Sequence, residues 1–467
     1  MLPDGRVLLT NQKWRDIPGS WETEITFEII IMTKTPYSQI PERIVLTLAT
    51  VSPWNLRRAI VDFNQTNQRY RIHMLDYSEW DYETGRNTGI DRLTTDLIAG
   101  NIPDILDLTG LPFYRYAARG LLEDLYPLID SDSELNRSDF IESVLNEAEV
   151  DGKLFRLFSS FSINTIVGNP TVIGYNMGWN MDEFRATLDA HPQADMPMGQ
   201  WLTRENFLEA SVLLSLDEYI DWTRGTASFD AGGFAQLLEF SNRFPPTPDP
   251  DAPWDEDFQW FSPDELIATG RQIMAQAQVG GFTDLQYYWR LFGGELVFKG
   301  IPTQSGNGNS LSLGNSLAIT TNTVDKNGAW EFIRIFLTPE WQRENITWQF
   351  PMNKEILDER IITAMTANPE YKDDIPGNWG RSVIVYDAPV RMPTMPGMPG
   401  MDGPMVQEQI DQILDLINSA RGIVDYDSPI MEIIREDTSN YFNGRQSAQD
   451  TARIIQSRVS RFVSEQS

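Results

Sequence analysis

The chain has 467 residues, too many for one ordinary core, and about 150 residues per domain gives two or three domains. Its composition, 41% hydrophobic and 22% charged, is that of a globular protein. Sixty-seven acidic against 37 basic side chains leave a net charge of −30, which argues against binding nucleic acid or anionic lipid.

There is no cysteine, so disulfides, thiolate zinc sites and cysteine nucleophiles are excluded together. Two isolated histidines, His73 and His191, offer no catalytic triad and no His-rich metal site. Any enzyme reading therefore rests on carboxylates. No stretch approaches the roughly 20 apolar residues of a membrane span. The best apolar run, Ile29 to Met32, follows Glu22, Glu24 and Glu28, the wrong flank for a signal peptide. Residues 1–42 carry short β-type runs between turn residues and read as an N-terminal extension or the tail of a preceding domain.

From residue 43 the pattern changes. Ile44 to Val51 is a continuous β-prone run, as in a strand buried on both faces. Ser52-Pro53-Trp54 opens a helix with Leu56, Ile60 and Phe63 at helical spacing. A strand over Tyr70 to Leu75, a helix carrying Ile90, Leu93 and Leu97, and a strand over Ile102 to Leu108 follow. This β-α-β-α-β order predicts a parallel, doubly wound α/β sheet. Further on, a helix starts near Thr203, and a proline-dense loop runs from Phe244 to Phe261. Residues 392–405 space Met, Pro and Gly as a flexible apolar loop. Helices return over Ala329 to Leu337 and from Ser447, where Ala448, Ala452, Ile455, Val459 and Phe462 form one packing stripe.

Five stretches in this order resemble the solute-binding proteins of ABC importers, the large class that includes maltose-binding protein. They are the strand-Trp-helix of residues 44–63; Asn101-Ile102-Pro103-Asp104-Ile105 with Ala118-Arg119-Gly120-Leu121-Leu122; and Asp151-Gly152-Lys153-Leu154-Phe155. The others are Ser316 to Thr320 leading to Gly328-Ala329-Trp330, and Tyr441-Phe442-Asn443-Gly444 before the closing helix. The resemblance implies two α/β lobes, each a mainly parallel sheet flanked by helices, closing on ligand by hinge motion. Lobe one is expected to hold residues 43–157 and 312–350, and lobe two 161–304 and 351–467, with crossings near 158–160, 305–311 and 350–352. It also implies a small-molecule ligand, most often a sugar, ABC permease subunits as partners, a monomer, no cofactor and no catalysis. An extracellular protein tethered to the outer face of the membrane follows from the resemblance alone, since neither a signal nor a lipid-modified Cys stands in this sequence. A two-carboxylate glycosidase and a sensory or adhesive module remain as alternatives.

Sugars stack on aromatic faces while carboxylates and amides take their hydroxyls. Ligands of doubly wound sheets bind outside the carboxyl ends of strands, which puts Trp54, Tyr77, Trp80 and Thr109 beside the cleft. Phe158 and Ser159 are expected to line its floor at the hinge. The loop after Gly280-Gly281 offers Phe282, Asp284 and Tyr287, with a helix cap as the alternative role for Asp284. Trp348 and Trp379 complete the set. Asp130 to Glu134 starts like a calcium loop but lacks the glycine at its sixth position, and no metal is expected.

Overall fold

The computed structural model describes residues 6–16, 23–33, 42–84, 88–222, 224–249, 259–303, 306–366, 404–425 and 427–466. Its first strands are β1 (Val7–Asp16), β2 (Thr23–Met32), β3 (Ile44–Thr50), β4 (Tyr70–Asp76), β5 (Ile105–Asp107) and β6 (Ser160–Gly168). Then come β7 (Ile220–Asp221), β8 (Thr226–Ala227), β9 (Met274–Val279), β10 (Val297–Phe298), β11 (Ser310–Gly314), β12 (Leu317–Ile319) and β13 (Phe350–Pro351). Trp379 and most of segment 392–405 lie outside the described residues.

In lobe one the sheet order is β12-β5-β3-β4. β3 pairs parallel with β4 and β5, while β12 returns antiparallel to β5. Leu46 and Leu48 face one core and Ala49 the other, which is why the run reads as continuously apolar rather than alternating. The predicted helix after β3 divides into a tight turn, Pro53–Asn55, and the helix Arg57–Thr66, which buries Ile60 and Phe63. Asp104 ties the lobe together. Its carboxylate accepts from Thr47 N and Oγ1 at 2.7 and 2.8 Å, and from Thr323 Oγ1 and Val324 N at 2.9 and 2.8 Å. Burial pushes its pKa up, but these hydrogen bonds outweigh that and hold it below the usual range.

Lobe two departs from the expected parallel sheet. All nine residues of β6 are buried, and β9, β10, β11 and β13 each pair with it antiparallel. The reason lies in the path of the chain. β6 carries the chain out of lobe one, whereas β9, β11 and β13 end beside its first residues and therefore run the opposite way. Ile163 and Val167 face one core and Ile166 the other. Much of the aromatic content is consumed there: Phe184, Phe207, Phe240 and Phe244 form one packed group, and Tyr219, Phe229 and Phe234 another.

The predicted start at Thr203 is a real cap, since its Oγ1 accepts from Asn206 N at 3.2 Å. The closing helix Ala448–Gln466 buries Ala448, Ala452, Ile455, Val459 and Val463, with Phe462 at the edge of that face. β1 and β2 form a hairpin that pairs with no other strand among the described residues. Among those residues no helix is long and apolar enough to cross a membrane.

Candidate functional site

The two sheets are joined by three passages that lie side by side. On the first, Leu157 exchanges both backbone hydrogen bonds with Leu317 of lobe one, and Ser160 then opens β6. The second lies at Asn315–Ser316, between β11 in one sheet and β12 in the other. This is later than the expected 305–311, because Ser310–Gly314 pairs along β6 before the chain leaves lobe two. Asn315 takes a positive φ of 49°, a conformation open to few residues other than glycine. On the third, Phe350–Pro351 pairs with β6 and Met352 N donates to Ser159 O at 2.9 Å. Helix Lys354–Thr366 then lies against Pro339–Asn345, where Arg343 bonds Glu359, so this segment touches lobe one rather than belonging cleanly to lobe two.

Side chains bind the passages together. Ser160 Oγ meets Gln349 Oε1 at 2.8 Å, and Asn315 Nδ2 donates to Ser159 Oγ at 3.4 Å. Ser159 is fully enclosed, and Phe158, at 2% exposed, packs in the core. Both expected floor residues thus hold the hinge together and present no surface to the cleft. The chain needs Phe158 for core packing because it enters the sheet between Leu157 and Phe161.

Trp54 stands 68% exposed in the turn after β3, with the Arg57 guanidinium 5.1 Å from its ring centroid. Trp80 is also exposed, with Arg92 5.5 Å from its ring. Tyr77 is engaged internally. Its hydroxyl donates to Asp96 at 2.9 Å, and burial followed by that carboxylate pushes its pKa up to about 12. Thr109 is exposed, but its N and Oγ1 both donate to Asp107, at 3.1 and 2.7 Å, closing the turn after β5.

On the lobe-two side, Asp284 takes the capping role: its Oδ2 accepts from Gly280 N and Gly281 N at 2.8 and 3.0 Å. Phe282 packs edge-on to Phe350 at 5.9 Å, and Tyr287 edge-on to Tyr288 at 5.0 Å. Trp348 is 57% exposed beside this loop, and its carbonyl occupies the space a side chain on Gly280 would need, so the close approach requires glycine there.

A cavity of about 360 Å³ opens between the lobes. Lobe one contributes Phe113, Tyr114, Arg115 and Glu149, and the facing wall carries Asp217, Trp222, Asp425 and Asp427. Behind the wall Arg156, only 2% exposed, lies 3.7 Å from the Phe113 ring centroid and donates Nη1 to both oxygens of Asp425, at 2.7 and 2.9 Å. None of these eight lining residues belongs to the set predicted from sequence. Phe113 and Tyr114 follow β5 by a few residues, so the topological argument that chose Thr109 reaches them one turn later. Asp217, Asp425 and Asp427 carry no such local signal. Among the described residues no group of carboxylates or histidines is placed to hold a metal ion.

The family model described as bacterial extracellular solute-binding protein matches residues 59–374. No curated protein matches the chain. Among solved structures, the sugar-binding protein MalE of Xanthomonas citri is 14% identical, with a TM-score of 0.53 over 90% of this chain and 98% of that one. A periplasmic oligogalacturonide-binding protein from Yersinia enterocolitica is 14% identical, with a TM-score of 0.52 over 91% and 100%. An ABC substrate-binding protein from Listeria monocytogenes, in complex with cycloalternan, is 14% identical, with a TM-score of 0.50 over 90% and 99%. These likenesses share the two-lobed fold, and with more than half of the sequence matched the chain belongs to the bacterial extracellular solute-binding proteins.

Proposed function

We propose that this protein captures a small polar solute, a sugar or oligosaccharide, between its lobes and delivers it to the permease of an ABC importer without changing it chemically. The observation that carries this reading is the cavity of about 360 Å³ walled by both lobes and lined with rings and carboxylates. The similar structures support the sugar class: one is described as sugar-binding, one as oligogalacturonide-binding, and one holds cycloalternan. Trp54, Trp80 and Trp348 offer ring faces at the rim on which a sugar stacks as the lobes close. Ligand binds the closed form better, so closure reports occupancy to the permease. The protein acts as a monomer outside the cell, held at the outer face of the membrane.

Thermal-shift measurement against a panel of glycans, with product analysis of every hit, tests this reading. A sugar that raises the melting temperature and is recovered intact supports capture. Recovery of cleaved glycan overturns it in favour of a glycosidase.

A further inference from the structure

The interlobe cavity is far more acidic than the chain around it. Six of its 15 lining residues are carboxylates, Glu149, Asp151, Asp217, Asp221, Asp425 and Asp427. In the whole chain 67 of 467 residues are acidic, so the cavity is enriched well beyond the general charge. Among the described lining residues one cation stands, Arg115, paired with Asp427. Asp425 is matched by Arg156 from behind, and Asp221 by exposed Arg224 at 3.4 Å. Among the described residues no Lys or Arg lies within ion-pair distance of Glu149, Asp151 or Asp217.

A second observation points the same way. Asp427 is 4% exposed, yet its Oδ2 accepts no hydrogen bond. Arg115 Nε stands 3.1 Å from that oxygen, but its N–H is not directed at it and is itself unsatisfied. A buried carboxylate oxygen left this way costs free energy until a donor reaches it. Burial also raises the pKa of Asp217, with the neighbouring Glu218 adding to it, and raises that of Asp427 against the opposing charge of Arg115.

A bare metal ion does not answer this need, because the carboxylates line the cavity without converging on one point. Two partly exposed aromatic residues, Tyr114 from lobe one and Trp222 from the facing wall, also line the cavity, while the Phe113 ring is buried beneath Arg156. Ring faces attract an organic cation and also accept the C–H face of a sugar. We propose that the cavity selects solutes carrying an ammonium group, amino sugars being the class that uses both its carboxylates and its rings. This rests on the reading of the chain as a solute-capturing protein and narrows its ligand.

Titration calorimetry of the full chain with the β-1,4 disaccharide of glucosamine and with its di-N-acetyl counterpart separates charge from shape. The amine form is expected to bind about tenfold tighter or better, with the advantage shrinking as salt is raised. Asp217→Asn and Asp221→Asn, both on the lining, are each expected to reduce that preference. Equal or tighter binding of the acetylated form, or a preference untouched in both variants, overturns the inference while leaving sugar capture standing. Maltose and cellobiose serve as neutral controls: failure of all four probes, together with an unresponsive glycan panel, removes the sugar reading and this inference with it.

Discussion

Arg115, on the short helix Phe113–Ala118 of lobe one, holds its Nε 3.1 Å from Oδ2 of Asp427, which caps the helix Ser428–Phe442 in lobe two. The same guanidinium lies 5.2 Å from the ring of Phe462 on the closing helix. The contact joins the lobes across the cavity, and both side chains are largely buried. Removing one partner strands a buried charge, so Arg115→Met is expected to lower unfolding free energy by about 3 kcal/mol in urea titrations. Adding Asp427→Asn to that variant is expected to restore part of the loss, since the stranded charge is then gone.

Gly280 offers a test of the hinge region. A Cβ there would sit 2.4 Å from the carbonyl oxygen of Trp348, a backbone atom with little freedom to yield. Gly280→Ala is expected to cost about 1–3 kcal/mol in stability, and to weaken ligand binding by displacing Trp348. Unchanged stability together with unchanged affinity would show that the two segments need not touch.

Trp54 and Trp348 bury little surface, so their loss has little structural consequence. Trp54→Ala and Trp348→Ala are each expected to change unfolding free energy by less than about 0.5 kcal/mol. If the rings stack on sugar, each variant loses about tenfold in affinity for the best ligand of the glycan panel, a stacking contribution near 1.4 kcal/mol.

Asp132 governs part of the acid sensitivity. Burial raises its pKa, but Arg334 Nε and Nη2 at 2.7 and 2.9 Å, with Trp330 Nε1 at 2.8 Å, outweigh it, and the carboxyl titrates below its usual range. A depressed folded-state pKa means the group stabilises fully above the unfolded value near 3.9 and loses that contribution as pH falls through the folded one. Asp132→Asn is therefore expected to lower the urea midpoint clearly at pH 7, with the gap to the parent narrowing toward pH 2.

The opening sheet of lobe one was readable because its strands are short, continuous and separated by helices with clear spacing: β3, β4 and β5 all stand where the pattern predicts them. The sheet of lobe two was not. Whether a strand pairs parallel or antiparallel depends on where the chain crosses between lobes, and nothing local in Ser310–Gly314 reveals that it lies along β6 before the crossing at Asn315. Among the expected cleft residues, Trp54 and Trp80 stand exposed, Asp284 takes the helix-cap role that the sequence also offered, and Thr109 bonds Asp107 two residues away. Tyr77 spends its hydroxyl on Asp96, a partner 19 residues away that a linear pattern does not expose. The calcium-like segment from Asp130 acquires its meaning from Arg334, 202 residues from Asp132.

The sequence by itself determined an acidic, cysteine-free α/β protein, because composition and hydrophobic period act locally and need no partner to be read; its two lobes were legible only through the family resemblance. Only the tertiary structure decided what lines the cavity. Phe113, Arg115, Asp217 and Asp427 span more than 300 residues of chain, and they meet because three passages fold one lobe back over the other. The net charge of −30 is a property of the whole chain; its concentration around one cavity is a property of the fold.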